Sequence, residues 1–162
     1  MMNPTIYIET TIPSYLAARQ SSDVIVAGKQ ETTRLWWNTR RPHYVLTASQ
    51  FVLDEATRGN PDAAQRRLQL LADIPLLLVD EEAVSLTQLI LQAGVIPQKA
   101  AFDAAHIAVA TRHGVDFLLT WNCTHIANAE IMRTVRRVIE NAGYAMPVIC
   151  TPHELFGGES DD

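Results

Sequence analysis

Apolar residues recur along the chain with two rhythms. The run Thr5-Ile6-Tyr7-Ile8-Glu9 is β-rich and is halted by Thr10-Thr11-Ile12-Pro13, because proline disfavours helix at the residue before it. Ser21-Ser22-Asp23 supplies N-caps for a helix reaching about residue 38, and Arg40-Arg41-Pro42 closes it ahead of a strand at 43–47. Ser49 is placed to cap a helix over 50–58, which Gly59 ends. Asn60-Pro61 reads as a cap followed by proline at the first helical position, starting a helix to about residue 72. After Pro75 comes an apolar strand at 76–79. Asp80-Glu81-Glu82 then opens a helix that stops at Gly94. A small-residue helix over about 100–113 stops at Gly114 and feeds a strand at 117–120. Asn128 caps a last helix to residue 142, ended by Gly143, and a fifth strand follows at 148–150.

Strands alternating with helices, several of them unbroken apolar runs, predict an α/β chain with a mostly parallel sheet of four to five strands covered on both faces. That is a three-layer α/β/α sandwich, expected as one domain over residues 1–156 with an acidic tail at 157–162. In such open sheets ligands bind beyond the carboxyl ends of the strands, so chemistry is expected there.

Composition narrows the function without choosing it. The 162 residues carry 13 basic and 18 acidic side chains, a formal charge of −5. Setting aside Glu159, Asp161 and Asp162 in the tail leaves 13 − 15 = −2. A nearly neutral body excludes a polybasic binder that relies on bulk charge, but it leaves room for a nucleic-acid enzyme with its own clustered carboxylates. The two cysteines, Cys123 and Cys150, lack the count and spacing of a disulfide framework or zinc site, which favours a reducing cytoplasm. No basic leader precedes an apolar stretch, and no apolar run approaches the roughly 18 residues of a membrane span.

Chemistry-bearing residues gather at predicted strand ends. Glu9 closes the first strand, and Thr120-Trp121-Asn122-Cys123-Thr124-His125 follows the fourth. Asp103 lies in a helix otherwise built of small and apolar residues, where a carboxylate needs a metal, a cation or the helix N-terminus to offset its burial. His106, three residues on, reads as a ligand, a proton carrier or a satisfied core histidine. Asp54 and Glu55 are adjacent in one helix and only one can face a given direction; periodicity does not choose. The chain has no phosphate-cradling Gly-rich loop with lysine, no dinucleotide fingerprint and no serine-hydrolase elbow. Cys123 beside Asn122 and His125 has no context that would mark it as an activated thiol. What remains is a dispersed set of acids. Hard carboxylate oxygens favour Mg²⁺ or Mn²⁺ and suit phosphodiester hydrolysis.

The segments Tyr7-Ile8-Glu9-Thr10-Thr11-Ile12-Pro13-Ser14-Tyr15, Ser49 to Glu55, Asp103-Ala104-Ala105-His106-Ile107-Ala108 and Leu118-Leu119-Thr120-Trp121-Asn122 together resemble a PIN-domain protein, most closely the VapC-like toxin ribonucleases. The resemblance spans residues 5–155. It implies a first acid at Glu9, where aspartate is usual, with Thr11 assisting in substrate binding. It selects Glu55 over Asp54 as the second acid and Asp103 as the third. At the fourth position Thr120-Trp121-Asn122-Cys123-Thr124-His125 departs from the family pattern: Asn122 fits, and His125 stands where aspartate is usual. The missing negative charge weakens the case for a second metal. The resemblance therefore implies a Mg²⁺/Mn²⁺-dependent endoribonuclease in which Glu9, Glu55 and Asp103 bind metal while Asn122 and His125 orient water or phosphate. It further implies a homodimer and an antitoxin protein as partner, with a catalytically degenerate RNA-binding or scaffold protein as the alternative.

Two surface features complete the reading. Arg133, Arg136 and Arg137 lie opposite the apolar stripe of their helix, so they form either a solvated face or a phosphate contact, and Arg66 and Arg67 are similar. Adjacent Trp36 and Trp37 are expected to place one indole at a subunit, antitoxin or RNA surface.

Overall fold

The computed structural model describes residues 2–158; the acidic residues Glu159, Asp161 and Asp162 lie outside that range. Five strands form a single sheet: β1 (Thr5–Ile8), β2 (Val45–Ser49), β3 (Leu76–Leu77), β4 (Phe117–Leu119) and β5 (Val148–Cys150). Seven α-helices cover it: α1 (Thr11–Ala17), α2 (Val24–Thr39), α3 (Gln50–Ala56), α4 (Pro61–Leu71), α5 (Glu81–Gln92), α6 (Ala101–Arg112) and α7 (Ala129–Asn141). All neighbouring strands are parallel, in the order β3-β2-β1-β4-β5. This is the α/β/α sandwich that the alternating pattern predicts.

Alternate residues of the central strands serve two cores. Tyr7 and Leu118 face one, with Val52, Leu86, Ile90, Ile107, Val135 and Ile139 from α3, α5, α6 and α7. Ile6, Ile8 and Leu119 face the other, with Ile12 of α1 and both tryptophans of α2. Helix α6 has no polar face because Ala104 through Thr111 are all buried, against α5 on one side and α3 on another. A helix apolar all round is a buried helix.

Caps set most boundaries. The side chains of Asp23, Asn60, Asp80 and Asn128 accept from backbone N–H groups in the first turns of α2, α4, α5 and α7. Asn128 Oδ1 takes Glu130 N–H at 3.1 Å and Ile131 N–H at 3.3 Å. Asn128→Ala is therefore expected to cost about 1 kcal/mol, a fall of about 2–4 °C in Tm; an unchanged melting curve would show that the cap contributes nothing.

The structure departs from the sequence reading in three places. Pro13 does not keep the chain from helix: it is the third residue of α1, where a missing N–H goes unmissed because first-turn donors have no intrahelical partner. Ser49 does not cap α3, since its hydroxyl is bonded to Tyr7 instead. Neither tryptophan presents an exposed indole. Trp36 is fully buried and donates Nε1–H to the Leu155 carbonyl at 3.0 Å, while Trp37 is 9% exposed with the Arg41 guanidinium 4.6 Å from its ring centre. Both indoles fit because α2 packs against more than the sheet: the 3₁₀ turns Arg41–His43 and Pro152–Glu154 flank it.

Candidate metal centre

The strand order reverses between β1 and β4, so the crevice beyond their carboxyl ends is where an open parallel sheet binds ligands. Glu9 follows β1 there. Its N–H donates to the Leu119 carbonyl at 3.1 Å, extending the ladder by one residue and fixing the side chain at the crevice. One carboxylate oxygen, Oε1, accepts from Thr11 N–H at 3.1 Å, Thr11 Oγ1 at 2.5 Å and Thr120 Oγ1 at 2.6 Å. Thr11 Oγ1 in turn accepts from Trp121 N–H at 2.8 Å, and Thr120 Oγ1 from Asn122 N–H at 2.9 Å. The loops after β1 and β4 are thus sewn together around one oxygen. Among the described residues nothing donates to Oε2.

Glu55, in the last turn of α3, repeats the arrangement. Its Oε1 accepts from Thr10 Oγ1 at 2.7 Å and lies 2.5 Å from His106 Nε2, while Oε2 has no donor among the described residues. The other ring nitrogen of His106, Nδ1, is 2.6 Å from Tyr7 Oη, which is 2.7 Å from Ser49 Oγ. A buried polar chain therefore runs from Ser49 through Tyr7 and His106 to Glu55 and Thr10. One group on Glu9, one on Glu55 and one on His106 lie within 4.8 Å of one another.

Burial acts differently on the two carboxylates. It pushes the Glu9 carboxyl above the usual range despite the nearby His106 charge and the bonds from Thr11 and Thr120. Burial raises Glu55 too, but the bond and charge of His106, the Thr10 hydroxyl and Arg58 together outweigh it and hold this carboxyl low. The Tyr7 phenol is driven far up by burial and stays protonated. One carboxylate oxygen from each of Glu9 and Glu55 and an imidazole nitrogen, gathered within 4.8 Å of one another in a partly buried crevice, form a donor set that fits one divalent cation.

Asp103 stands apart from this compact group. It lies one helical turn before His106 on α6, and its Oδ2 is 3.0 Å from His125 Nδ1. Asn122 Oδ1 accepts His125 N–H at 3.0 Å, closing the turn that holds the histidine in place. The sequence-predicted Glu9 and Glu55 are brought together, then, while Asp103, Asn122 and His125 form a second, adjoining cluster. Sequence reasoning left His106 among three roles and gave Tyr7, Ser49 and Thr10 no part in the site. The one signal for His106 was its three-residue spacing from Asp103 in an otherwise apolar helix.

Two of the arginines make bonds within the fold. Arg66 Nε donates to the Ala17 carbonyl at 2.9 Å, Arg67 Nε to Ala56 at 3.0 Å and Arg67 Nη2 to Arg58 at 2.5 Å. They close the C-terminal ends of α1 and α3 and tie α4 to both. Arg133, Arg136 and Arg137 are exposed along a groove of about 750 Å³ between α7 and the edge strand β5, with Cys123 at its rim. The Cys150 thiol is pushed up to about 12 by burial, which leaves it inert.

Fold and site together define an all-parallel α/β protein with a carboxylate–histidine cluster at its switch point. Neither a protein-family model nor a curated protein sequence matches the chain. Among the described residues no helix is long and apolar enough to cross a membrane.

Proposed function

We propose that the protein is a divalent-metal-dependent endoribonuclease of the PIN-domain, VapC-like kind, a cytoplasmic toxin that works as a homodimer and is held in check by an antitoxin protein. The observation that carries the chemistry is the pair of spare oxygens on Glu9 and Glu55 beside His106 at the crevice. Glu9 and Glu55 would hold Mg²⁺ or Mn²⁺, with Asp103 contributing from the adjoining turn of α6. Bound there, the cation supplies charge neutralisation at the scissile phosphate and lowers the pKa of an attacking water.

The chain's own groups do the remaining work. Thr11 and Thr120 lock Glu9, and Thr10 locks Glu55, so both acids keep one oxygen turned to the ligand without reorganisation. Asp103 pairs with His125 at Nδ1, which leaves Nε2 of that partly exposed ring to orient the phosphate or to give a proton to the leaving oxygen. Arg133, Arg136 and Arg137 form an exposed basic rail available to the RNA backbone.

The expected result is RNA cleavage that needs Mg²⁺ or Mn²⁺, stops in excess chelator and is lost in Asp103→Asn. Cleavage that persists undiminished with chelator, or in that variant, would overturn the assignment. A second reading, a PIN-like RNA-binding protein without catalysis, is favoured by the histidine at the fourth family position; metal uptake and RNA binding with no cleavage under any divalent ion would support it.

A further inference from the structure

We infer that His106 is a direct nitrogen ligand of the cation, and that this nitrogen makes the site prefer Mn²⁺ to Mg²⁺. The inference rests on the metal-dependent reading above and changes the donor set that reading takes from resemblance, which is made of carboxylates alone. In the structure the third donor beside Glu9 and Glu55 is an imidazole: His106 is fully buried, and its ligand atom lies within 4.8 Å of theirs. Asp103, the acid expected in that place, has its Oδ2 engaged by His125.

The ring is held so that it can act as a ligand. A metal-binding imidazole presents the lone pair of one nitrogen while the other N–H is fixed by an outer partner. Here Nε2 is the nitrogen beside Glu55, and Nδ1 meets the Tyr7 hydroxyl. When the ring is neutral and no cation is bound, the tautomer that donates Nε2–H to Glu55 accepts from Tyr7 at Nδ1. With a cation at Nε2, the proton sits on Nδ1 and donates to Tyr7 Oη, and the Tyr7 hydroxyl turns its own proton toward Ser49 Oγ. A hydroxyl both donates and accepts, so the Tyr7–Ser49 pair reverses direction and the Nδ1 bond is kept in either state. Tyr7 and Ser49 are fully buried, which removes water as a competing partner.

Chemistry then sets the preference. Mg²⁺ takes oxygen ligands and dehydrates reluctantly, while imidazole favours the transition metals. Two carboxylate oxygens and one imidazole nitrogen therefore bias the site toward Mn²⁺.

Pulsed electron paramagnetic resonance of the Mn²⁺-loaded protein tests this without reference to activity. The wild type is expected to show nitrogen hyperfine modulation on the Mn²⁺ echo, kept in His125→Gln and absent in His106→Gln. Mg²⁺ should displace Mn²⁺ from the wild type only at large excess, and at least about tenfold less Mg²⁺ should suffice in His106→Gln. Tyr7→Phe is expected to retain the modulation with about 10–100-fold weaker Mn²⁺ binding. Mn²⁺ bound to the wild type without nitrogen modulation, or modulation lost in His125→Gln and kept in His106→Gln, overturns the inference while leaving the metal-dependent reading in place. No Mn²⁺ uptake by the wild type overturns that reading as well. The wild-type and His125→Gln spectra together decide even if His106→Gln fails to fold.

Discussion

Glu9→Gln is expected to give a folded protein, more stable than the wild type at neutral pH, in which the metal-dependent cleavage proposed above falls by about three orders of magnitude, the size of several kcal/mol of lost transition-state stabilisation. The fold should tolerate the change because the three donors that fix Glu9 all converge on Oε1, and an amide oxygen still accepts from Thr11 N–H, Thr11 Oγ1 and Thr120 Oγ1, though less strongly than a carboxylate. What the amide lacks is the charge, and with it the spare anionic oxygen. Burial raises the Glu9 carboxyl, so the folded chain binds this proton more tightly than the unfolded chain does. Its contribution to stability is complete below the unfolded carboxylate range and is lost as pH rises through the raised folded value. A charged Glu9 in this buried place is therefore a net cost, and removing the charge is expected to raise stability increasingly as pH rises.

Glu55 acts with the opposite sign. It is held low chiefly by His106 once its own burial is overcome, so its stabilisation is present above the unfolded range and is lost as pH falls through the folded value. Urea unfolding across a pH series should thus show wild type and Glu9→Gln converging in acid and separating as pH rises. Equal stability at neutral pH would mean that the buried charge of Glu9 is fully offset by its partners, and retained cleavage would mean that the charge has no part in the site.

The frame of this site was legible in the sequence because it is written in local signals. Apolar runs, capping residues and glycine stops marked every strand and all helices but α1, and strand ends pointed to Glu9 and Thr120. Helix α1 was hidden by Pro13, whose restriction on its neighbour reads as a break, although a first-turn proline costs no hydrogen bond. The polar chain through His106 was illegible for a different reason. Ser49, Tyr7 and Glu55 are 42 to 51 residues from their partners in sequence, or nearly a hundred for Tyr7 and His106 (99), and each looks ordinary in its own segment. Tyr7 reads as a strand aromatic and Ser49 as a helix cap. Only the pairing of β1 with β2, and α6 lying across them, makes them a relay. Choosing between Asp54 and Glu55 likewise needed a direction in space: Asp54 bonds Gln50 on the exposed side of α3, whereas Glu55 turns inward.

The largest loss of stability is expected from Trp36→Ala, at about 3–5 kcal/mol, which is roughly a fifth or more of the total for a typical domain of about 5–15 kcal/mol. Trp36 is the largest fully buried side chain and lies in the core that also holds Ile6, Ile8 and Leu119, the residues leading directly to Glu9 and Thr120. Its Nε1–H is also the partner of the Leu155 carbonyl, so truncation leaves that carbonyl unsatisfied beside a new cavity and frees the segment after β5. Tyr44, whose ring centre is 5.6 Å away, loses its neighbour as well. Trp37→Ala should cost clearly less, since that indole reaches the surface under Arg41 and has no hydrogen bond of this kind. Denaturant unfolding of the two variants side by side measures the difference. A Trp36→Ala loss below about 1 kcal/mol would mean that the core on the α2 face collapses around the gap. In the expected case Ile8 and Leu119 lose packing on the face that aligns the ends of β1 and β4, and the folded fraction should bind Mn²⁺ more weakly. The Glu9–Thr120 bond of 2.6 Å spans those two strand ends, and it holds only as long as the core beneath them does.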